Sequence, residues 1–285
     1  MSSSSSPSTP PMIALPDGAR VAQLGLGTWR MGERAAASQS EIAAIRRGVE
    51  LGLTLIDTAE MYGEGGAERM LGEALRGLRE KVFLVSKVYP QNAGGAALRR
   101  ACDNSLKRLA TDRLDLYLLH WRGAIPLRET IEGMTRLKET GKIRHWGVSN
   151  FDVDDLEELW AAGGSACAAN QILFNLERRG PEFALLPWMA KRKCVGMAYS
   201  PIEQGRLPQS GPLGEIARRH SATVFQVALA WLLRRPDMIV IPKAATLAHV
   251  EANRAALDLR LEADDLVALD RAFAPPKRRA PLAML

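Results

Sequence analysis

The chain of 285 residues is 47% hydrophobic and 25% charged, a composition that excludes a disordered, collagenous or disulfide-rich protein. Its 38 Lys and Arg against 32 Asp and Glu leave a net charge of +6, spread along the sequence; this suits a small anion and is too weak to argue for nucleic acid. The three cysteines, Cys102, Cys167 and Cys194, lie far apart without C-x-x-C spacing, as expected of reduced thiols in a cytoplasmic protein, and no apolar run approaches the roughly 18 residues of a membrane span.

Residues 1–11, MSSSSSPSTPP, hold no basic or apolar region of a secretory signal and read as a disordered Ser/Pro tail. Residues 12–285 read as one catalytic domain with no linker inside it. Pro16-Asp17-Gly18 stands between two short alternating runs and predicts a hairpin. A first strand follows near Ala22 to Leu26. From there one pattern recurs: an apolar run ends in a polar residue, and an amphipathic stretch follows. The runs are LTLID ending at Asp57, VFLVSK ending at Lys87, LDLYLLH ending at His120 and IRHWGVSN ending at Asn150. CAANQ ending at Gln171, CVGMAYS ending at Ser200 and MIVIPK ending at Lys243 complete them. Near-continuous apolar strands suit a parallel sheet buried on both faces.

The stretches between them carry one apolar face each at helical spacing. The first, SQSEIAAIRRGVELG, opens on a capping signal, Ser38 with Glu41 three residues on, and Gly52 marks its end. GAERMLGEALRGL, AALRRACDNSLKRL, LRETIEGMTRLKETG, DVDDLEELWAAGG, PEFALLPWMAKRK, ATVFQVALAWLLRRP and TLAHVEANRAALDL repeat the theme. EADDLVALDRAFAP adds a C-terminal helix. About eight β-α units in alternation predict an α/β fold, a (β/α)8 TIM barrel with a short N-terminal hairpin. An open doubly wound sheet is the other arrangement of such units, but GLGTWRMG lacks the G-x-G-x-x-G spacing of that fold.

The mouth of such a barrel is built from the carboxyl ends of its strands. Asp57, Lys87, His120, Asn150, Gln171 and Lys243 therefore line one site. A buried strand ending in a charge needs a partner, since desolvation costs several kcal/mol per ion. Asp57 and Lys87 end consecutive strands and can pair, which alone is as readily structural as functional. Tyr62, in the loop after Asp57, and His120 on the next strand make the group an acid–base constellation. An ammonium beside a phenol lowers its pKa, a carboxylate holds the ammonium, and an imidazole orients a carbonyl. No Ser or Cys is poised beside a base, and the His and carboxylate spacings match no zinc site. Such a group can protonate an alkoxide as it forms, as carbonyl reduction by a hydride donor requires. Gly63, Gly65 and Gly66 lack the Lys-Ser/Thr of a phosphate loop and are expected to shape the turn holding Tyr62.

The segments LGLGTWRMG, DTAEMYGEGGAERMLGEAL, VFLVSKV, DLYLLHW, GKIRHWGVSNF, NQILFNL, MAYSPI and IPKAAT resemble the signature segments of the aldo-keto reductase superfamily. They occur in order from about Leu24 to Leu261, and within the superfamily the chain looks most like bacterial methylglyoxal and diketogluconate-type reductases. The resemblance implies NADPH-dependent reduction of small aldehydes, ketones and α-dicarbonyls by a monomer. It carries over the tetrad Asp57, Tyr62, Lys87 and His120, with Tyr62 as proton donor and His120 orienting the carbonyl. Ser149, Asn150 and Gln171 match positions that bind the nicotinamide carboxamide, and Tyr199 the one that stacks on its ring. Lys243 and Thr246 match the 2′-phosphate site and Asn253 an adenine contact. Gly27, Thr28 and Trp29, with Ser200, Pro201 and Ile202, fall in the other cofactor segments. Ala244 and His249 stand where many members carry serine and arginine, which weakens the phosphate site and leaves NADH as the alternative cofactor; Arg254 is a candidate compensation.

Trp29, Met61 and Trp121 are expected to wall the substrate pocket beside Tyr62 and His120. The short tail after Phe273 implies an open pocket, with Lys277, Arg278 and Arg279 as a solvated basic cluster. Two other functions use the same residues. A nicotinamide-binding regulatory subunit would resemble the potassium-channel β subunits, although no long docking extension accompanies the barrel. A (β/α)8 isomerase would use Lys87 as a Schiff base and leave Tyr62 and His120 without roles.

Overall fold

A computed structural model describes residues 10–285. Residues 1–9 of the expected tail lie outside the described residues. Pro10 is buried, and the Pro11 carbonyl accepts from Gln23 N at 2.8 Å, so the packed chain already includes these two prolines.

Strands β1 (Met12–Ala14) and β2 (Arg20–Ala22) pair antiparallel, Met12 opposite Ala22. Gly18 takes φ 89° in their turn, the left-handed region that glycine enters without a Cβ penalty. Ala22 thus belongs to the hairpin rather than to the first barrel strand, because its backbone is already paired with Met12. The barrel begins at β3 (Leu26–Gly27). It continues through α1 (Ser38–Glu50), β4 (Leu55–Asp57), α2 (Gly66–Ala74), β5 (Phe83–Val88), α3 (Gly95–Leu109) and β6 (Leu114–Leu119). Next come α4 (Leu127–Glu139), β7 (Ile143–Ser149), α5 (Val153–Ala161), β8 (Ala169–Leu173), α6 (Leu185–Lys191) and β9 (Val195–Tyr199). The chain ends with α7 (Gly211–Arg219), α8 (Val224–Leu233), β10 (Met238–Val240), α9 (Leu247–Ala255) and α10 (Ala263–Ala272).

The eight strands β3 to β10 are parallel and ordered as in the chain. The sheet closes on itself: Gly25 N donates to Val240 O at 2.9 Å, Gly27 N to Pro242 O at 3.0 Å, and Val240 N to Gln23 O at 2.8 Å. This is the expected TIM barrel. Two further local expectations fail. Ser38 is the first residue of α1 rather than its cap; Ala37 occupies the cap position, and Glu41 instead accepts from Gly32 N at 2.8 Å. Helix α7 has no counterpart among the predicted elements, because a nine-residue helix opening on Gly-Pro inside a Pro/Gly/Ser-rich stretch carries little periodic signal.

Alternation along the strands sorts side chains into two cores. Leu55, Val85, Leu116, Leu118, Ala169, Val195, Met197, Ile239 and Ile241 fill the barrel interior, and Ile13, Leu15, Val21 and Ala22 of the hairpin cap its amino end. Ile56, Leu84, Tyr117, Leu119, Ile172, Ala198 and Val240 face the helices. Asp57, Lys87, His120, Ser149, Gln171, Tyr199 and Lys243 share parity with the interior residues of their strands. The packed apolar layers therefore continue upward into a polar mouth.

Neighbouring strands approach closely at Gly147, where an added Cβ would lie 2.4 Å from Ala169 O and 2.9 Å from Leu118 Cδ2. The first of these neighbours is backbone and cannot swing aside. Gly147→Ala is expected to lower stability by about 1–3 kcal/mol in urea unfolding, the range for overpacking. An unchanged midpoint would mean that the barrel yields there.

Candidate active site

Lys87 is 0% exposed. Its Nζ donates to Asp57 Oδ2 at 2.8 Å, to the Thr58 carbonyl at 2.9 Å and to Tyr62 Oη at 3.0 Å. An ammonium has three N–H donors and no acceptor, so all are engaged and the Tyr62 oxygen is the acceptor. The phenolic proton is left for another partner. Asp57 Oδ1 accepts from Gln171 Nε2 at 2.7 Å, which holds the carboxylate at both oxygens. Burial works against the Lys87 ammonium, but Asp57 and Tyr62 around it keep its pKa above the ordinary lysine value. Burial pushes the Asp57 carboxyl up, with Lys87 and Gln171 pulling it down.

Tyr62 sits in the β4–α2 turn. Its N–H donates to Ala59 O at 3.1 Å and its carbonyl accepts from Ala67 N at 3.2 Å. Gly63 and Gly65, at φ 56° and 80°, give the turn its left-handed corners, the role expected of this glycine run. Burial raises the Tyr62 phenol above its usual value, with Lys87 pulling the other way. The net direction reverses the lowering that the neighbouring ammonium alone predicts. A phenol raised in this way keeps its proton at neutral pH and is loaded as an acid.

His120 follows β6 and meets the Tyr62 ring edge-on, centroids 5.9 Å apart at 74°. Its Nδ1 is buried without a partner among the described residues. Burial, aided by the Lys87 charge, lowers its pKa to about 3. A neutral imidazole can donate or accept one hydrogen bond, but it carries no spare proton for catalysis at pH 7.

Asn150 falls one residue out of parity, yet φ 60° swings it back to the mouth. Asparagine tolerates this conformation better than most residues. Its Nδ2 donates to His120 O and Ser149 Oγ, each at 3.1 Å, and its Oδ1 accepts from Tyr199 Oη at 2.8 Å. Ser149 Oγ donates to Gln171 O at 2.9 Å. On the opposite wall Thr28 Oγ1 donates to Asp57 O at 2.9 Å. Gly27 lets the barrel seam close, since a Cβ there would lie 2.9 Å from Ile241 O. Ser200 at φ 47° accepts at its carbonyl from Asn175 Nδ2, 2.8 Å away; Pro201 is buried and Ile202 half-buried.

Past the seam, Lys243 is exposed and Ala244 buried. Thr246 caps α9 by accepting from His249 N at 3.3 Å, which places Lys243, Thr246 and an exposed His249 around a helix N-terminus. Asn253 Nδ2 is buried and unpartnered among the described residues. Arg254 is buried and bonds the exposed Asp258 one helical turn on at 2.9 Å.

Among the expected pocket residues, Trp29 and Trp121 are half-buried and Met61 is 41% exposed. The sequence reading missed Tyr89, whose ring meets Trp121 edge-on at 5.9 Å. Tyr89 follows β5 in parity with Lys87, so strand alternation was the signal for it. The reading also missed the return of the C-terminal tail. Arg279 pairs with Asp154 at 2.9 Å and Leu282 packs on the core. The tail thus folds back onto the barrel, while Lys277, Arg278 and Arg279 all stay exposed, as expected of a solvated basic cluster, with Arg279 in a surface pair. Burial lifts the Tyr199 phenol to about 12. Among the described residues no group of three or more His, Cys, Asp or Glu is placed to hold a metal ion, and no helix is long and apolar enough to cross a membrane.

The sequence model of the aldo/keto reductase family matches residues 23–273. The methylglyoxal reductase YeaE of Escherichia coli strain K12 is 53% identical over 268 residues, 92% of this chain and 94% of that protein. The glyoxal reductase of Bacillus subtilis strain 168 is 33% identical, over 90% of this chain and 91% of that protein. A solved aldo/keto reductase from Klebsiella pneumoniae, in complex with NADP and acetate, superimposes with TM-score 0.94 at 51% identity, covering 97% of this chain and all of that one.

The depressed His120 pKa sets a pH dependence. The unfolded chain takes up a proton below the ordinary value of 6.5, while the native imidazole resists until about 3. Native stability contributed at this position is therefore present above 6.5 and is lost as pH falls toward 3, by about 1.4 kcal/mol per pH unit. His120→Gln, which does not titrate, is expected to flatten the loss of urea stability between about pH 7 and about pH 5. An unaltered slope would put a proton on the native imidazole in that range.

Proposed function

Because the chain belongs to the aldo/keto reductase family, we propose that it reduces small aldehydes, ketones and α-dicarbonyls such as methylglyoxal to alcohols, with NADPH as hydride donor. The observation that carries this reading is the 3.0 Å bond from Lys87 Nζ to Tyr62 Oη inside a buried, carboxylate-held cluster. NADPH when bound supplies the hydride. The chain's own residues do the rest. Tyr62, protonated and with its oxygen already accepting from Lys87, gives its proton to the carbonyl oxygen as negative charge grows there. The fixed ammonium then stabilises the phenolate left behind, and Asp57 keeps that ammonium charged and in place. His120, neutral, donates a hydrogen bond that orients the carbonyl. In oxidation Tyr62 acts as the base.

The residues present fit the cofactor. Ser149, Asn150 and Gln171 offer donors and acceptors for the carboxamide, and Tyr199 stands beside them as the stacking ring. Asn253 has an unpartnered buried amide for the adenine. Lys243 with the Thr246-capped end of α9 suits a 2′-phosphate, through charge and through free backbone N–H groups. Gly27, Thr28, Trp29, Ser200, Pro201, Ile202, Ala244 and His249 complete the cofactor contacts. Trp29, Met61 and Trp121, with Tyr62 and His120, line the substrate side, where flat rings suit a small carbonyl compound.

Residues 12–285 act as one catalytic unit, and every member of the cluster comes from a single chain, in keeping with a monomer. Three buried free cysteines suit a reducing cytoplasm. The Schiff-base reading finds no support, because the Lys87 amine has its three donors engaged and its pKa held high.

Initial rates with methylglyoxal are expected to be well above background with NADPH and much lower with NADH. Tyr62→Phe is expected to lower kcat by about 100-fold or more, the size of a general-acid contribution, with cofactor affinity largely kept. Activity near that of the parent protein would remove Tyr62 as proton donor. His249→Arg is expected to tighten NADPH more than NADH, because a guanidinium can fork onto a phosphate; equal tightening would place position 249 away from the 2′-phosphate.

A further inference from the structure

Behind the tetrad, on the helix side of β5, lies a buried carboxylate that the reaction as described does not use. Glu68, on the first turn of α2, is 0% exposed. Its Oε1 accepts from Ser86 Oγ and its Oε2 from Arg108 Nε, each at 2.6 Å. Ser86 is the residue before Lys87 on β5, with its side chain on the opposite face. Arg108, on α3, also donates to Ser105 Oγ at 3.2 Å. Above this network the arginine packs directly on the turn that carries Tyr62: a Cβ on Gly65 would lie 2.5 Å from Arg108 Cδ and 2.7 Å from its Nε. The turn is closed from its other side by Gly32, whose carbonyl oxygen would lie 2.3 Å from a Cβ on Gly66. Gly32 is itself tied by its N–H to the buried Glu41.

We infer that Glu68 and Arg108 are positioning residues for proton transfer, a buried ion pair that fixes the Tyr62 turn against the strand bearing Lys87. The inference rests on the reading of Tyr62 as proton donor. Its logic is mechanical. Lys87 is fixed by β5 and by Asp57, whereas Tyr62 hangs on a glycine-rich turn with left-handed corners and little intrinsic stiffness. The contact between them holds only if the turn has a floor. Arg108 provides the floor. Glu68 holds Arg108 by charge and, through Ser86, registers it to the same strand that carries the ammonium. A fully buried carboxylate with a hydrogen bond on each oxygen is a stiff element, because releasing Arg108 would leave its charge buried without a counter-ion. The pair lies on the helix side of β5, away from the barrel mouth, and acts through Tyr62.

The test is Glu68→Gln. It is expected to lower kcat about tenfold or more, since small misplacements of a reacting group are costly, while KM and the cofactor Kd stay within about twofold. In a Tyr62→Phe background the same substitution is expected to cost nothing further. The ultraviolet titration of Tyr62, taken as the difference between chains with and without Tyr62→Phe, should move upward as the phenol drifts from the ammonium. Asp115→Asn breaks a comparably buried pair with Arg79 at the amino end of the barrel, and is expected to lower Tm without moving kcat. If Glu68→Gln does not fold, the double variant Glu68→Gln with Arg108→Met leaves no unpaired buried charge and gives the same readouts. A lowered Tm with kcat and the Tyr62 titration unchanged would overturn the inference, as would an equal loss in the Tyr62→Phe background. A parent protein that turns over no carbonyl, yet whose Tyr62 titration moves on Glu68→Gln, would overturn the reductase reading and leave the positioning role standing.

Discussion

A fully buried ammonium is the constraint around which this barrel mouth is organised. Stripping Lys87 of water costs several kcal/mol, and the fold tolerates it only because each of its three N–H groups meets an oxygen. Each of those oxygens then has a fixed place. Asp57 must end the neighbouring strand, the Thr58 carbonyl must turn inward after it, and the Tyr62 phenol must reach back from the following turn. Gln171 enters from across the barrel to hold the other oxygen of Asp57. The structural requirement to satisfy a buried charge and the chemical requirement to tune a phenol are met by the same contacts.

The barrel supplies that arrangement through strand parity. Apolar side chains alternate between lumen and helices, and where the lumen layers stop, the next residues of the same parity are polar. This places Asp57, Lys87, His120, Ser149, Gln171 and Tyr199 in one ring without any distortion of the strands. The exception is Asn150, which joins the ring through a left-handed backbone and there links His120, Ser149 and Tyr199. Burial then fixes proton occupancy. It drives the imidazole neutral and keeps the phenol protonated.

Around the tetrad the supports come from both sides of the sheet. The hairpin closes the amino end under the apolar lumen, and the Glu68–Arg108 pair braces the Tyr62 turn from the helix layer. The C-terminal tail folds back onto the barrel, with Leu282 packed on its core. Turn and barrel floor are thus carried by contacts distant in the chain, while Asp57, Lys87 and His120 keep to strand ends and Tyr62 to the turn after β4.

Legible in the residues alone are the eightfold alternation, the strand runs, and the polar residue at the end of each. These are local patterns: apolar runs reflect burial on both faces, and a charge ending such a run has few places to go but the mouth. Asp57, Lys87, His120, Gln171 and the glycines of the Tyr62 turn were legible for that reason, as was Lys243. The tertiary structure decided what depends on partners far apart in the chain. Glu41 caps nothing in α1 because the Gly32 N–H claims it. The Tyr62 phenol rises rather than falls because desolvation, which no spacing encodes, outweighs the neighbouring ammonium. Spacing records which groups can meet, whereas their proton occupancy depends on how much water the assembled barrel removes from each.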